Sequence, residues 1–328
     1  MAETKEINKI KEKQGKSVGA ILTDLSMPIL LVVLIAVFTI LNKNFFTQLN
    51  LTNILVQNVH IAVCSCAVMM IMVSGGTDLS IGYQMSVAAV LVAKLLSSGT
   101  VGVFPAILIG IIVCMALGTF NGVMGHVLKS HTMIVTLGTM AIFQGISYLI
   151  SDSKNIHNLP NAFMYLGQGR LFGWLPLNVV IMVVIVVIVA IIMGRTKIGR
   201  KIYAAGDNPE AARLAGLNVT KIKILVFTFG GLLVGIAAIL LAARTGSAES
   251  GTSGPGIEFT GITACVLSGV ALKGGEGTLW KVIVAVFVLG VLSNGMQLLG
   301  VGTYPQHIAR GAIMLLSLYV SNRQPKKA

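Results

Sequence analysis

Charge is what this sequence has least of. Only 11% of its 328 residues are charged and just 11 are Asp or Glu, against the ~25% charged share that clothes an ordinary soluble domain. Hydrophobic residues reach 55% and the mean hydropathy is +0.87, which leaves too little polar surface to cover a water-soluble particle of this size. Cysteine is sparse as well. The four thiols, Cys64, Cys66, Cys114 and Cys265, all fall inside apolar runs, so neither a disulfide framework nor a redox compartment can be read from them. Cys64 and Cys66 could suggest a metal pair, but residues two apart on a helix point to different faces, and small core residues are the better reading. Aromatics amount to 6% and are not interleaved with the basic residues, so the net charge of +13 does not describe a nucleic-acid surface.

What is present is a succession of apolar runs, most of roughly 17 to 23 residues and so long enough to cross a hydrocarbon layer about 30 Å thick as a helix. Ten can be drawn, at 25–41, 53–73, 81–97, 103–124, 133–150, 175–193, 223–243, 259–272, 279–298 and 304–320. No soluble domain fits between them. The sequence therefore predicts an all-α polytopic membrane protein of about ten transmembrane helices, organised as a leader (1–24), a transmembrane permease domain (25–320) with a cytoplasmic loop at 194–222, and a tail (321–328). The first run is followed by Asn42, Lys43, Asn44, Phe45 and Phe46 rather than a small-residue cleavage site, so it reads as a retained span.

An even number of spans puts both termini on one side. With the N-terminus inside, the inner segments hold Lys5, Lys9, Lys11, Lys13 and Lys16, then Lys129, seven basic residues between Arg195 and Lys223, Lys273, and finally Arg323, Lys326 and Lys327. The outer segments hold only Lys43, Lys154, Arg170 and Arg244. That asymmetry follows the positive-inside rule and predicts cytoplasmic termini. Gly118 with Gly122 and Gly231 with Gly235 are spaced to let helix backbones approach closely in lipid. A faint internal echo links "SGGTDLSIG" (74–82) to "KGGEGTLW" (273–280), each a glycine pair and an acidic residue before a return into the membrane; it is too short to establish a repeat.

The polar decapeptide "DNPEAARLAG" (207–216) interrupts this pattern. Asp207 or Asn208 suits an N-cap, Pro209 the first helical position, Glu210 the first turn and Gly216 a stop. Such a helix is too short to be stable alone in water. It needs packing, either on its own bundle or against a separate cytoplasmic partner.

The run Glu210, Ala211, Ala212, then three residues and Gly216, resembles the EAA loop of ABC importer permeases. With "GRKIYAAGDNPEAARLAGLNVTKIK" (199–223), "SGGTDLSIG", "TLGTM" (136–140) and "LSNGMQLLGVGTYPQHIARGAI" (292–313), the chain is similar to the ribose, galactose and xylose (monosaccharide) permease family over nearly its whole length. Thr77 before Asp78 departs from that family's usual GGIDLS but leaves the aspartate in place. The resemblance implies a bacterial inner-membrane permease subunit with Asn208, Pro209, Glu210, Ala211, Ala212 and Gly216 coupling to ABC ATPase subunits. It also implies a second permease copy or close paralogue and an external sugar-binding protein.

No cofactor is expected on this chain itself. "GKS" (15–17) resembles the end of a phosphate loop, but Ile10 stands where a glycine is needed. ATP with its Mg is therefore expected in the partner, and the chain is not expected to be an enzyme. For the substrate path, neutral polar side chains in apolar surroundings are the candidates: Asn58, Asn121, Gln144, Asn294 and Gln297, each of which could instead join helices by hydrogen bonding. Asp78 is the candidate whose default role is to cap the third span, with substrate contact as the alternative. The histidines meet no metal spacing: His126 and His131 flank a turn, His157 lies in an outer loop, and His60 and His307 stand alone in sequence. Glu249 and Glu258 fall in an outer glycine-rich segment, 244–258, where a receiving surface for the binding protein would lie. The alternatives are an ABC permease for another small polar solute, such as a furanose-like signal molecule, a nucleoside or a branched-chain amino acid, and an ion-coupled secondary transporter. The last is disfavoured because such transporters place ionisable residues deep in spans, and this chain offers little besides Arg310 near an outer end.

Overall fold

The structure, a computed structural model, describes the backbone of residues 18–323 and the side chains of 25–319. The leader residues 1–17, with Gly15, Lys16 and Ser17, and the tail residues 324–328 lie outside the described residues. Among the described residues thirteen helices follow one another: α1 (Val18–Leu41), α2 (Gln48–Val73), α3 (Ile81–Ser97), α4 (Val103–Val127), α5 (Thr132–Ser151), α6 (Asn161–Gln168), α7 (Leu177–Arg195), α8 (Lys197–Asp207), α9 (Pro209–Leu214), α10 (Val219–Thr245), α11 (Ile257–Leu267), α12 (Leu279–Leu298) and α13 (Thr303–Arg323). The described β structure is a two-residue ribbon, β1 (Arg170–Leu171) against β2 (Leu175–Pro176), and one bridge between Ile156 and Ala248.

Each of the ten apolar runs coincides with a helix. Six of these helices, α2, α4, α5, α7, α10 and α12, are long and apolar enough to cross a membrane. The apolar parts of α3 and α11 are shorter, 17 and 11 residues, the described apolar part of α1 is Leu25–Leu41, and α13 carries His307 and Arg310 among its apolar residues. By length and composition, six of the ten runs are thus candidate spans among the described residues, and the full count of ten goes beyond that measure. The physical reason is clearest at α11: its 11 residues rise only about 16 Å at 1.5 Å each. The expected run at 259–272 is in fact half a helix followed by a turn.

The basic loop between α7 and α10 contains two helices where the sequence suggested one. The first, α8, starts at Thr196, whose side chain accepts from Gly199 N, and buries Gly199, Ile202, Ala205 and Gly206 while presenting Lys197, Arg200 and Lys201 to solvent. It lies against the ends of α2, α7 and α10 as an amphipathic brace.

At the centre, α10 crosses α4, with α2 and α3 on its other sides. Small residues set the α4–α10 distance, as their spacing predicts. A Cβ on Gly118 would overlap the carbonyl oxygen of Phe227, and one on Gly231 would overlap that of Cys114. The hydroxyls of Thr119 and Thr228 then meet at 2.7 Å. Backbone approach and interhelical hydrogen bonds replace the hydrophobic driving force that lipid removes. All four thiols are buried and free.

This packing generates the first prediction. Gly231→Val overpacks the crossing, at a cost of about 1–3 kcal/mol or more, and should lower the yield and thermal stability of detergent-purified protein. Gly138→Val, at a helical glycine with open space beside it, should change stability by about 0.5 kcal/mol at most. Equal losses in the two variants would contradict the assigned contact.

Candidate functional site

The decapeptide forms α9 with the predicted caps. Asn208 is the N-cap and its side chain accepts from Ala211 N at 2.9 Å, Pro209 occupies the first turn, and Gly216 turns the chain away at φ +82°. Asp207 instead ends α8. Only Ala212 faces inward, at 5% exposure, packed with Ala205, Val219 and Leu217. Pro209, Glu210, Ala211, Arg213 and Gly216 are exposed, and Leu214 is 85% exposed. The Glu210–Arg213 ion pair at 3.5 Å is open to solvent and adds little stability. The helix therefore presents five of its six residues outward.

Its neighbour α8 ties this surface to the bundle. Gly206 lies so close to α2 that a Cβ there would overlap the carbonyl oxygen of Val73, and that same oxygen accepts from Gly275 N at 2.9 Å. A Cβ on Gly274 would come within 2.8 Å of Gly75 Cα. The two echoing segments, 74–82 and 273–280, thus meet each other and the end of α8. Tyr203 adds a hydrogen bond from its hydroxyl to Gly277 O at 2.8 Å, and burial raises the phenol above its ordinary pKa, so it remains a donor at neutral pH.

Asp78 is 4% exposed at the break between α2 and α3. Its Oδ1 accepts from Ser80 N at 2.8 Å and from Ser80 Oγ at 2.6 Å, while Oδ2 accepts from Gln84 Nε2 at 2.8 Å and Asn121 Nδ2 at 3.2 Å. An anion at a helix N-terminus, supplied by the first turn's donors, is a favourable arrangement. A second carboxylate joins it. Glu258, 1% exposed, accepts from Gly256 N at 3.0 Å and packs against Gly82 so closely that a Cβ there would overlap Oε2. Glu258 is therefore buried at the start of α11 rather than on an outer receiving surface, because the glycine-rich segment folds back into the bundle, where Ser86 donates to Ser250 O at 3.0 Å.

The remaining path candidates divide. Asn121 belongs to the Asp78 cluster. Asn294 forms a reciprocal amide pair with Asn50, both bonds 2.9 Å, joining α2 to α12. Asn58 donates to Ile54 O at 2.7 Å and lies over Gly290. Asn58, Asn294 and Gln297 line one cavity of about 160 Å³, whereas Gln144 is exposed on α5, apart from them. Gln84 was missed in sequence, and Glu258 was read there as part of an outer receiving surface, not as a neighbour of the Asp78 cluster. Gln84 carried a signal, since a glutamine six residues after Asp78 falls in the first full turn of α3.

If capping is the role of Asp78, Asp78→Asn should retain most of the protein and its transport, because the amides of Gln84 and Asn121 can rotate to meet the new one; Asn121 Oδ1 has no partner at present. Asp78→Leu strands several buried donors at about 1–3 kcal/mol each and should lower protein level in the membrane. Near-normal level with abolished uptake in both variants would instead assign Asp78 to the substrate.

Comparison with known proteins adds a family to this geometry. A family model described as branched-chain amino acid transport system / permease component matches residues 50–318. The ribose import permease protein RbsC of Escherichia coli (strain K12) is 34% identical over 304 residues, covering 90% of this chain and 92% of that protein. The L-arabinose transport system permease protein AraH of the same strain is 34% identical over 316 residues, 96% of this chain and 95% of the relative. Its D-allose transport system permease protein AlsC is 30% identical over 290 residues, 88% of each. No solved structure matches.

Proposed function

The chain belongs to the family of branched-chain amino acid transport system permease components, and from that premise we propose that it is the transmembrane subunit of an ATP-driven importer that passes a monosaccharide delivered by an external binding protein. The observation that carries the permease reading is α9: a helix capped at both ends, held by Ala212 alone and exposed on every other side. A two-turn helix left bare on one face of a membrane bundle is suited to docking. The sugar reading draws support from relatives named for ribose, L-arabinose and D-allose that align along nine-tenths of both chains.

In this reading Asn208, Pro209, Glu210, Ala211, Ala212 and Gly216 engage ATPase subunits, which bind ATP with Mg. Closure of those subunits pulls α9 and, through the α8 contact, the ends of α2 and of the segment before α12; hydrolysis reverses the motion. The termini and the basic loop face the cytoplasm, the ten helices together form the membrane domain over 25–320, the chain resides in the bacterial inner membrane, and a second permease completes the path. Alternating access requires such a coupled element.

A second reading, a permease for another small polar solute, is favoured by the family's own description, which names branched-chain amino acids. An ion-coupled transporter draws some support from the depth of Asp78 and Glu258, but both carboxylates are engaged by donors at helix starts.

Two measurements test the proposal. Glu210→Arg and Gly216→Pro should leave membrane insertion intact and abolish substrate-driven uptake; normal transport in both would remove α9 from the coupling. Uptake of labelled pentoses and hexoses should be restored to a deletion strain by this chain and lost on ATP depletion with the proton gradient maintained. Unchanged uptake across the sugar panel would favour the other polar solutes, and uptake that survives ATP depletion would favour the ion-coupled reading.

A further inference from the structure

A cavity of about 580 Å³ opens between α2, α10, α11, α12 and α13 at the end of α10 far from α9, and shares Ile61, Thr260, Leu289 and Arg310 with the smaller one beside Asn58. Its size suits a small-molecule site, for which about 300–1,000 Å³ is usual. Residues remote in sequence converge on it: His60 from α2, Arg244 from α10, His307 and Arg310 from α13. The carboxylate among the lining residues is Glu249, whose Oε2 already accepts from Thr252 Oγ1 at 2.6 Å.

Neither guanidinium has a carboxylate partner among the described residues. Arg310 donates to Ser293 Oγ at 2.8 Å, which uses part of its fork, and Arg244 Nε is buried without a partner. His60, 9% exposed, has a buried Nδ1 that is also unpartnered. Cations and imidazoles set in a membrane bundle without neutralisation mark a functional pathway. The first turn of α11 also borders the cavity, through Gly256, Ile257 and Thr260. Glu258 takes up the Gly256 N–H, and its carboxylate lies against Gly82, so the uncompensated charge at the cavity is that of the two arginines.

The chemistry of this lining selects among small polar solutes. A ligand with an ammonium group finds one carboxylate and many repelling donors. A ligand rich in hydroxyl oxygens finds donors for each, and the exposed Phe259 with Leu289 and Met314 offers an apolar plate for a C–H face. The planar guanidinium fork spans two neighbouring oxygens better than a single point donor does.

We propose that this cavity holds the sugar within the permease, with Arg244 and Arg310 donating to a pair of adjacent hydroxyls and His60 Nδ1 meeting a third polar atom. The proposal rests on the monosaccharide reading, and the experiment separates the two. The assembled importer, with its binding protein unaltered, would be assayed for uptake of the sugar identified by the panel, of its monodeoxy analogues, and of the corresponding sugar acid. Because the binding protein is constant, any change in the parent-to-deoxy ratio belongs to the permease.

Arg310→Gln and Arg244→Gln should each narrow that ratio by about threefold or more for the analogue lacking the hydroxyl read, whereas a merely structural role would lower all sugars alike and overturn the proposal. Arg310→Lys, which keeps the charge and loses the fork, should give an intermediate ratio; it carries the test if the glutamine variants fail to reach the membrane, and an unchanged ratio there counts against the site. Preferred uptake of the sugar acid by the wild type would assign the cavity to an anion instead. Failure of the wild type to import any sugar would remove the functional reading itself.

Discussion

Hydrocarbon offers no partner to a peptide group, so every break in a helix inside this bundle has to be closed by another part of the same chain. Three breaks among the described residues show how, at 74–80, 246–256 and 268–278. In the first, Thr77 N donates to Thr132 Oγ1 at 2.9 Å, Leu79 N to Thr136 Oγ1 at 3.1 Å, and Ser80 N to Asp78. In the second, Glu249 N donates to Ser253 Oγ at 2.8 Å, while Ser250 Oγ donates to Ser147 O at 2.9 Å. In the third, Ala271 N donates to Glu276 O at 3.1 Å and Gly275 N to Val73 O. Polar side chains that look anomalous in an apolar sequence are mostly the groups that close these gaps.

Closing the gaps this way has a mechanical consequence. The first and third breaks lean on each other and on Gly206 through close backbone contacts, with the Tyr203 hydroxyl bonded to Gly277 O beside them. A packed interface without slack transmits a displacement instead of absorbing it. The end of α8 is continuous with α9, so whatever grips the exposed helix acts directly on the C-terminal end of α2 and on the start of α12. A single side chain added at Gly206 would have to push one of these segments away.

How far the sequence disclosed this depends on the range of each interaction. Local signals were readable: the caps of α9, the apolar runs, and the small residues at Gly118 and Gly231. The span count was less so, because an apolar run such as 259–272 has the same composition whether it continues as helix or ends after 11 residues at a glycine turn. The direction of a polar side chain was not readable at all. Asn294 and Gln297 have the same place in the pattern, yet one is locked to Asn50 across more than two hundred positions and the other is exposed. His60 and His307 stand alone along the chain and are joined only by the fold around one cavity.

The sign of charge is distributed with equal consequence. Asp78 and Glu258 are drawn to the positive starts of α3 and α11, where backbone donors hold them. The cationic residues face the cavity instead. A passage for a neutral solute through a membrane must refuse protons and metal cations, which are smaller than any sugar and cannot be excluded by size. Fixed guanidinium charges raise that barrier electrostatically, and they do so with groups that also donate hydrogen bonds to hydroxyls. Rejection of ions and acceptance of a polyol can therefore be performed by the same side chains, which is a physical reason for placing unpaired arginines where a hydrophobic bundle would otherwise tolerate none.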